Sequence, residues 1–504
     1  MSTPAETTPH VLVNGKSLPA TDAVPLLESL LAPSSHAENG PVDRCDLLLA
    51  LGEALSLAGD NVRAAAEVLP EALALAEQAS DERRAGRACW LALKALYRDG
   101  VGVHWRTAAH DRWAEPAVRH LPEGTLEGAW VGTAMVGLHA TNHRWDLLRP
   151  TAQRALDQAR RLGDAEAIFI ASDPLLGQGW VAPHNGHERP RLAAELLTVP
   201  RDGVAPRIAA STLFNAATAL TAWGQRSRAA EVQDALKELA DTSHDPALPL
   251  FSMRLQSLFA LLDGHLQDAI DLAGQTVAEG GKLGLAGLGL SLGARVPLRP
   301  SLLLGRAREM LVSESYRSRG SGQERSLIHA HAGLYDEARI IRDSVMQEWR
   351  IGPEVDGTPT GGLVRLLETS VLLGDREVAG FLLKRLRPLA PAIDDTQPTC
   401  VARHLGSAAA LMGDREGALV LYRQALDVAE AVRFRPEAAL THLQLAEFLV
   451  AQGSDALATD SAALRADALG HLEVAIPEFS AMHMAPSLDR ATALKDQLTR
   501  APDV

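Results

Sequence analysis

The chain is poor in aromatics, cysteine, long apolar runs and positive charge, and each scarcity removes a class of protein. Phe, Trp and Tyr make up only 4% of the 504 residues, while apolar residues together reach 46%. A core built mainly from Ala and Leu suits closely packed helices better than sheets, whose faces favour β-branched and aromatic side chains. The three cysteines, Cys45, Cys89 and Cys400, are far apart and odd in number. They read as reduced thiols, not as a disulfide framework. The uncharged apolar stretch between Lys282 and Arg295 is too short to span a bilayer. The opening MSTPAETTPH has neither the basic start nor the apolar stretch of a signal peptide. These features predict a cytoplasmic chain with no membrane partner. Net charge is −14 and the pI is near 5.7, which argues against direct nucleic-acid binding, where a basic field is the rule.

What is present is a repeated unit, best seen in LGSAAALMGDREGALVLYRQALDVAE, residues 405–430. Apolar or small residues fall at helical spacing on both sides of Gly413-Asp414. Gly can take the left-handed conformation that ends one helix, and Asp can cap the next. The stretch therefore predicts a helical hairpin, with Gly406 and Ala418 small where the helices approach and Tyr422 filling a groove. LALGEALSLAGDNVRAAAEVL, residues 49–69, repeats the pattern, with Gly52, Gly59 and Ala64 at the offsets of Gly406, Gly413 and Ala418. Candidate turn glycines recur at Gly224, Gly264, Gly333, Gly374, Gly413 and Gly453, in steps of 40, 69, 41, 39 and 40 residues. At this length, a period near 40 predicts a repeat array, not one large core.

A two-helix unit with a small-residue crossing and a turn glycine resembles the tetratricopeptide repeat, whose standard unit is about 34 residues. The longer period resembles the sensor halves of bacterial LuxR-type and related large ATP-binding regulators. RCDLLLALGEALSLAGD (44–60), ALDQARRLGDAEAI (155–168), GLVRLLETSVLLGDREVAGFLLKRLRPLAP (362–391), VARHLGSAAALMGDREGALVLYRQAL (401–426) and GHLEVAIPEFSAMHMAPSLDRATAL (470–494) carry the likeness over roughly residues 40–495. In that family an ATP-binding switch precedes the sensor half, and a DNA-binding or cyclase effector accompanies it. Here no G-x-x-x-x-G-K-[ST] occurs. The nearest approach, Gly280-Gly281-Lys282-Leu283, lacks the Mg²⁺-binding hydroxyl and the first glycine. The resemblance thus implies an all-α, right-handed α-solenoid of tetratricopeptide-like hairpins that lacks the ATPase and DNA-binding parts. We expect a flexible N-terminal tail with a short helix over residues 1–40, disordered up to residue 20. A continuous solenoid should follow over 41–500, with an irregular segment at 280–325.

Three constellations could carry chemistry. Six of the eight Trp (90, 105, 113, 130, 145, 180) and seven of the seventeen His lie between residues 90 and 187. A ligand groove could be lined there by His104, Trp105, Trp113, Trp130, His139, His143, Trp145 and Trp180, since concave sites combine apolar walls with a few polar groups. The competing reading is that Trp fills wide gaps between atypical repeats. The pairs His139/His143 and His184/His187 have metal-compatible spacing but no third ligand or HExxH, so no metal or other cofactor is expected. The segment 295–325 carries an excess of Arg, and Arg295, Arg299 and Arg306 are candidates for holding a phosphate or carboxylate. The lone pair Asp394-Asp395 reads as a solvated loop. With no nucleophile–base set, the expected function is a non-catalytic regulatory binding module whose concave surface captures a protein segment or small effector. The alternatives are an enzyme using the Trp/His-rich groove and a passive assembly scaffold.

Overall fold

The computed structural model describes residues 10–13, 16–32, 41–99, 108–122, 124–142, 144–177, 182–243, 245–313, 316, 320–353, 360–453 and 458–500. The fold is all-α, with only two small two-stranded hairpins among the described residues. It divides into two compact units, Met1–Leu175 with Val199–Thr212, and Leu176–Thr198 with Leu213–Val504.

The hairpin predicted at 405–430 is present as Val401–Met412 and Arg415–Val432. Gly413 sits at φ +84°. The chain reverses there through bonds from Asp414 N to Ala409 O and from Gly413 N to Ala410 O, and the Asp414 carboxylate caps the second helix at Gly417 N. Bonds reaching back five residues recur after Gly59, Gly224, Gly264, Gly333 and Gly374. The same motif thus closes hairpin after hairpin, with glycine favoured because it takes positive φ at no steric cost, although Arg433 and His483 take it too. Gly453 breaks the series: it lies at the end of the helix Arg435–Gly453 and is not in the left-handed region.

Gly406 is small because of Tyr422 rather than Ala418. A Cβ on Gly406 would meet the Tyr422 ring at 2.8 Å. Ala418 is fully buried on the same helix as that ring. The equivalent contact in residues 49–69 is Gly52 against Leu69. Leu69 lies seventeen residues after Gly52, whereas Tyr422 lies sixteen after Gly406. The extra residue is absorbed by a π-helical turn, Ala64–Val68, just before Pro70, whose missing N–H favours such a break.

The irregular step between Gly264 and Gly333 resolves into one full and one short unit. Gly305, at φ +78°, is a turn glycine that sequence reading passed over. It follows the short helices Ala286–Gly293 and Leu298–Leu303 and precedes Ala307–Val312. The glycines of this segment serve a tight crossing: a Cβ on Gly280 would meet Gly289 Cα at 2.7 Å. Gly280-Gly281-Lys282 forms the last turn of Leu266–Lys282, where the helix dipole repels phosphate. A P-loop needs the opposite end.

Part of the N-terminal stretch expected to be disordered is ordered. His10–Val13 pairs antiparallel with Lys16–Pro19, and Val11 and Val13 join the core formed with residues 45–134. The alternation in HVLV is the signal that was missed. The helix Ala20–Leu31 follows as expected.

Candidate binding face

The aromatic constellation is largely core where it is described. Trp113 and Trp130 are each 1% exposed. Trp113 Nε1 donates to Ala65 O at 3.1 Å, and Trp130 meets Tyr97 edge-on, with ring centroids 5.6 Å apart. The Lys94 ammonium lies 5.3 Å from the Trp90 ring centroid and 5.6 Å from that of Trp130. Glu166 accepts Lys94 Nζ at 2.8 Å and Arg98 Nη2 at 3.3 Å. The rings therefore surround a cation that the chain itself supplies. His139 is half-buried, and burial followed by Arg144 lowers its pKa. His104, Trp105, His143 and Trp180 lie outside the described residues, as does the side chain of Trp145. His184 and His187 are exposed, and His184 lines an open cavity of about 260 Å³ with Lys384 and Arg385. Among the described residues, no group of three His, Cys, Asp or Glu is placed to hold a metal.

The arginine candidates do not converge on one anion site. Arg295 is exposed and Arg306 is half-buried. Arg299 is buried, and its Nη1 and Nη2 donate to the two oxygens of Glu368 at 2.9 and 2.8 Å. The reason is register: Arg299 and Glu368 each lie six residues ahead of a turn glycine, Gly305 and Gly374, and so occupy equivalent places on first helices.

That pair opens a larger buried network along the first helices of the second unit. His331 Nε2 lies 3.0 Å from Glu368 Oε1, and His404 Nε2 lies 3.7 Å from Oε2. Arg403 makes a second bidentate pair, Nε to Glu437 Oε2 at 2.7 Å and Nη2 to Oε1 at 2.8 Å. Thr399 Oγ1 donates to Glu437 Oε1 at 2.7 Å and lies 2.8 Å from His404 Nε2. Burial disfavours ionisation of Glu368, but Arg299, His404 and His331 outweigh it and hold the carboxyl well below its usual range. Arg403 does the same for Glu437 against burial. Burial and then the Arg403 charge push His404 down to about 3, so its imidazole is neutral at pH 7. Burial, then Glu437, drives the Cys400 thiol far up, which leaves it unreactive.

Asp394 and Asp395, expected to be solvated, are 0% and 5% exposed. They sit in a two-stranded turn, Ile393–Asp394 paired with Thr399–Cys400, that lies against the first helices. Asp395 pairs with the guanidinium of Arg189, itself 2% exposed. Asp394 Oδ1 accepts Thr396 N at 2.9 Å and Thr396 Oγ1 at 2.6 Å, while its Oδ2 lies 4.0 Å from Arg365 Nη1. Gln397 Nε2 donates to Arg295 O, and Cys400 N to Glu437 Oε2, both at 2.9 Å. The partners come from up to 206 residues away, so no local pattern announces them. A usable signal does exist: nine or ten residues ahead of the turn glycines Gly264, Gly333, Gly374 and Gly413 stand Arg254, Gln323 with Glu324, Arg365, and Arg403 with His404. All of these are buried.

No protein-family model matches the chain, and no curated protein matches it. Among solved structures, two monomeric mutants of IFIT1, one with m7Gppp-AAAA and one with Gppp-AAAA, align at 13% and 12% identity. Each alignment covers 95% of both chains, with TM-scores of 0.32 and 0.30. A circular tandem repeat protein aligns at 15% identity over 95% of this chain and 88% of its own, with a TM-score of 0.16. These neighbours are helical tandem repeats. At such scores they carry no argument about ligand, and the fold assignment rests on the hairpins themselves. Among the described residues, no helix is long and apolar enough to cross a membrane.

Proposed function

We propose that the chain is a non-catalytic regulatory binding module in which the first helices of the second unit form the binding face. One observation supports this above others: that face already holds a short hairpin turn, the chain's own 393–400. It does so through side chains, with Glu437 on a backbone N–H, Arg189 on Asp395 and Arg365 beside Asp394. An extended protein segment or a small effector is recognised by the same chemistry. The resemblance to regulator sensor halves fits this role, with the signal passed to a separate effector and without direct contact to nucleic acid.

The test is native mass spectrometry of the purified chain, before and after acid release, together with turnover assays on ATP. A non-covalent adduct without turnover is expected. ATP hydrolysis that follows the chain through purification and disappears in Lys282→Ala would overturn the non-catalytic reading.

A further inference from the structure

The buried turn at 393–400 does not balance the charge around it. Two guanidiniums contact this turn, those of Arg189 and Arg365, and a third, that of Arg254, lies within electrostatic reach of Asp395; the three residues are 2%, 9% and 9% exposed respectively. Two carboxylates answer them, Asp394 and Asp395. Asp395 is engaged by Arg189, and Asp394 is the loose partner of Arg365. Arg254 is left over. It projects from the helix Leu248–Leu262, and its guanidinium lies 5.7 Å from the centroid of the Phe214 ring. Among the described residues no carboxylate pairs with it. It feels Asp395 only as a more distant charge, and burial lowers its pKa to about 10, so it stays charged at neutral pH.

Unused hydrogen-bonding capacity gathers in the same region. Arg365 Nε, Asp394 Oδ2 and Gln397 Oε1 are buried and have no hydrogen-bond partner within the chain. A buried, unpaired charge costs several kcal/mol, and buried polar groups left unsatisfied in a native protein ask for a water, an ion or a functional reason. The residue type indicates which: a guanidinium presents a planar fork that matches a carboxylate or phosphate group.

We propose that Arg254 anchors the carboxylate or phosphate group of a small-molecule ligand beside the 393–400 turn, with the Phe214 ring behind the guanidinium. The proposal rests on the binding reading above and gives it a ligand class. The turn then forms one wall of the site, and Arg254 supplies the charge that wall leaves unanswered.

Inorganic phosphate and succinate are the two probes, each compared with sodium chloride at matched ionic strength so that general screening cancels. Titration calorimetry and the thermal midpoint are read together, since a ligand that binds only the folded state raises the midpoint. Saturable binding of at least one probe is expected, and which one binds separates a phosphate from a carboxylate ligand. Arg254→Gln should weaken it about tenfold or more, the loss expected when a charge-assisted bidentate contact goes, and the exposed Arg423→Gln should leave it unchanged. Hydrogen exchange on the unaltered chain keeps the test open if Arg254→Gln fails to fold: slowing on probe addition should centre on 248–262 and 393–400. No binding beyond chloride, equal binding in Arg254→Gln, or slowing only elsewhere would overturn the site. Conversion of the probe into product, lost in Arg254→Gln, would keep the site and sink the non-catalytic reading. A co-purifying ligand indifferent to Arg254 would do the reverse.

Discussion

The first unit closes its hairpins over rings, the second over charges. Around Trp90, Tyr97 and Trp130 the cation is the half-buried Lys94, and Glu166 neutralises it on the spot. Trp113 fills its layer and satisfies its one polar atom on Ala65 O. In the second unit Arg299, Glu368, Arg403 and Glu437 are buried in positions where Ala or Leu would complete the same helical packing. The architecture does not require them. Buried ion pairs are poor stabilisers compared with apolar residues of similar volume. On the reading proposed above, a row of them in repeat register serves recognition rather than folding.

The largest effects test that contrast. Trp113→Ala should cost about 3–5 kcal/mol through the cavity it leaves. Glu368→Ala should cost a similar amount, about 3–5 kcal/mol, for another reason: Arg299 stays buried without its partner. The two part company in a double variant. Arg299→Leu combined with Glu368→Leu should recover most of the loss, measured by denaturant melts, because the penalty lies in the uncompensated charge. Failure to recover would mean that the pair does hold the second unit together. Melts need a cooperativity check first, since a repeat array can unfold in steps.

Next in size is a pH effect centred on the buried network of the second unit. His404 is neutral in the folded state, with its pKa pushed down to about 3 from the 6.5 of a free histidine. Below pH 6.5 the unfolded chain binds a proton that the folded chain refuses, so stability present above 6.5 is lost as pH falls. The unfolding constant should rise up to about tenfold per pH unit from this group. Glu368 and Glu437 contribute little above pH 4.5, because their loss begins only as the unfolded carboxyls, at 4.5, take up protons, and it runs on to the depressed folded values below. Asp394 works the other way: burial raises its pKa, and the cost of its charge disappears as it protonates. His442, lowered to about 4 by burial and then His471, and His471, itself lowered by burial, act in the same sense as His404. The slope between pH 6 and 4.5 should therefore be positive. It should become shallower in His404→Gln, followed by equilibrium melts at each pH; an unchanged slope would show that His404 is already protonated.

How far the sequence foretold these two interiors depends on the range of the interactions. Helix, turn and cap are local. Gly413, Asp414 and their counterparts at Gly374-Asp375 announce themselves within a few residues, and the hairpins follow. Gly305 was legible by the same rule and was hidden only because its unit is short. The contact of Gly406 with Tyr422 was half legible, since a small residue implies close approach but does not say to which neighbour. The charged interior was not read. Asp394-Asp395 looks like a surface loop until Arg189 arrives from 206 residues away. Arg299 looks like a free cation until Glu368 meets it from the second hairpin further along. Aligning the chain on its turn glycines, rather than reading along it, would have exposed the second of these pairs but not the first.

A third pair of variants asks whether the close approach at Gly406 differs from its equivalent at Gly52. Gly406→Ala forces a Cβ to within 2.8 Å of a Tyr422 ring that Phe448, 6.1 Å away between centroids, helps to hold. Ala418→Leu overfills a fully buried position on the same helix. Each should destabilise by roughly 1–3 kcal/mol. Gly52→Ala meets the tip of Leu69, an aliphatic side chain with rotamers to spare, and should cost less. Equal costs at 52 and 406 in the same melts would mean that helix approach alone, not the ring, sets the penalty.

The smallest effects separate backbone from surface at a single turn. Gly413 has φ +84° and no atom within 4 Å of where a Cβ would stand. Gly413→Ala therefore meets no clash with its neighbours, and its whole cost is conformational, on the order of 1 kcal/mol. Two residues on, Arg415 is exposed at the first turn of the next helix, and Arg415→Ala should stay within about 0.5 kcal/mol. The ordering Gly406→Ala, Gly413→Ala, Arg415→Ala then ranks packing above backbone strain and strain above surface contact within one hairpin. A Gly413→Ala midpoint indistinguishable from that of Arg415→Ala would show that the left-handed turn relaxes to accept a side chain, and would remove the physical reason for glycine at the corresponding turns of the other repeats.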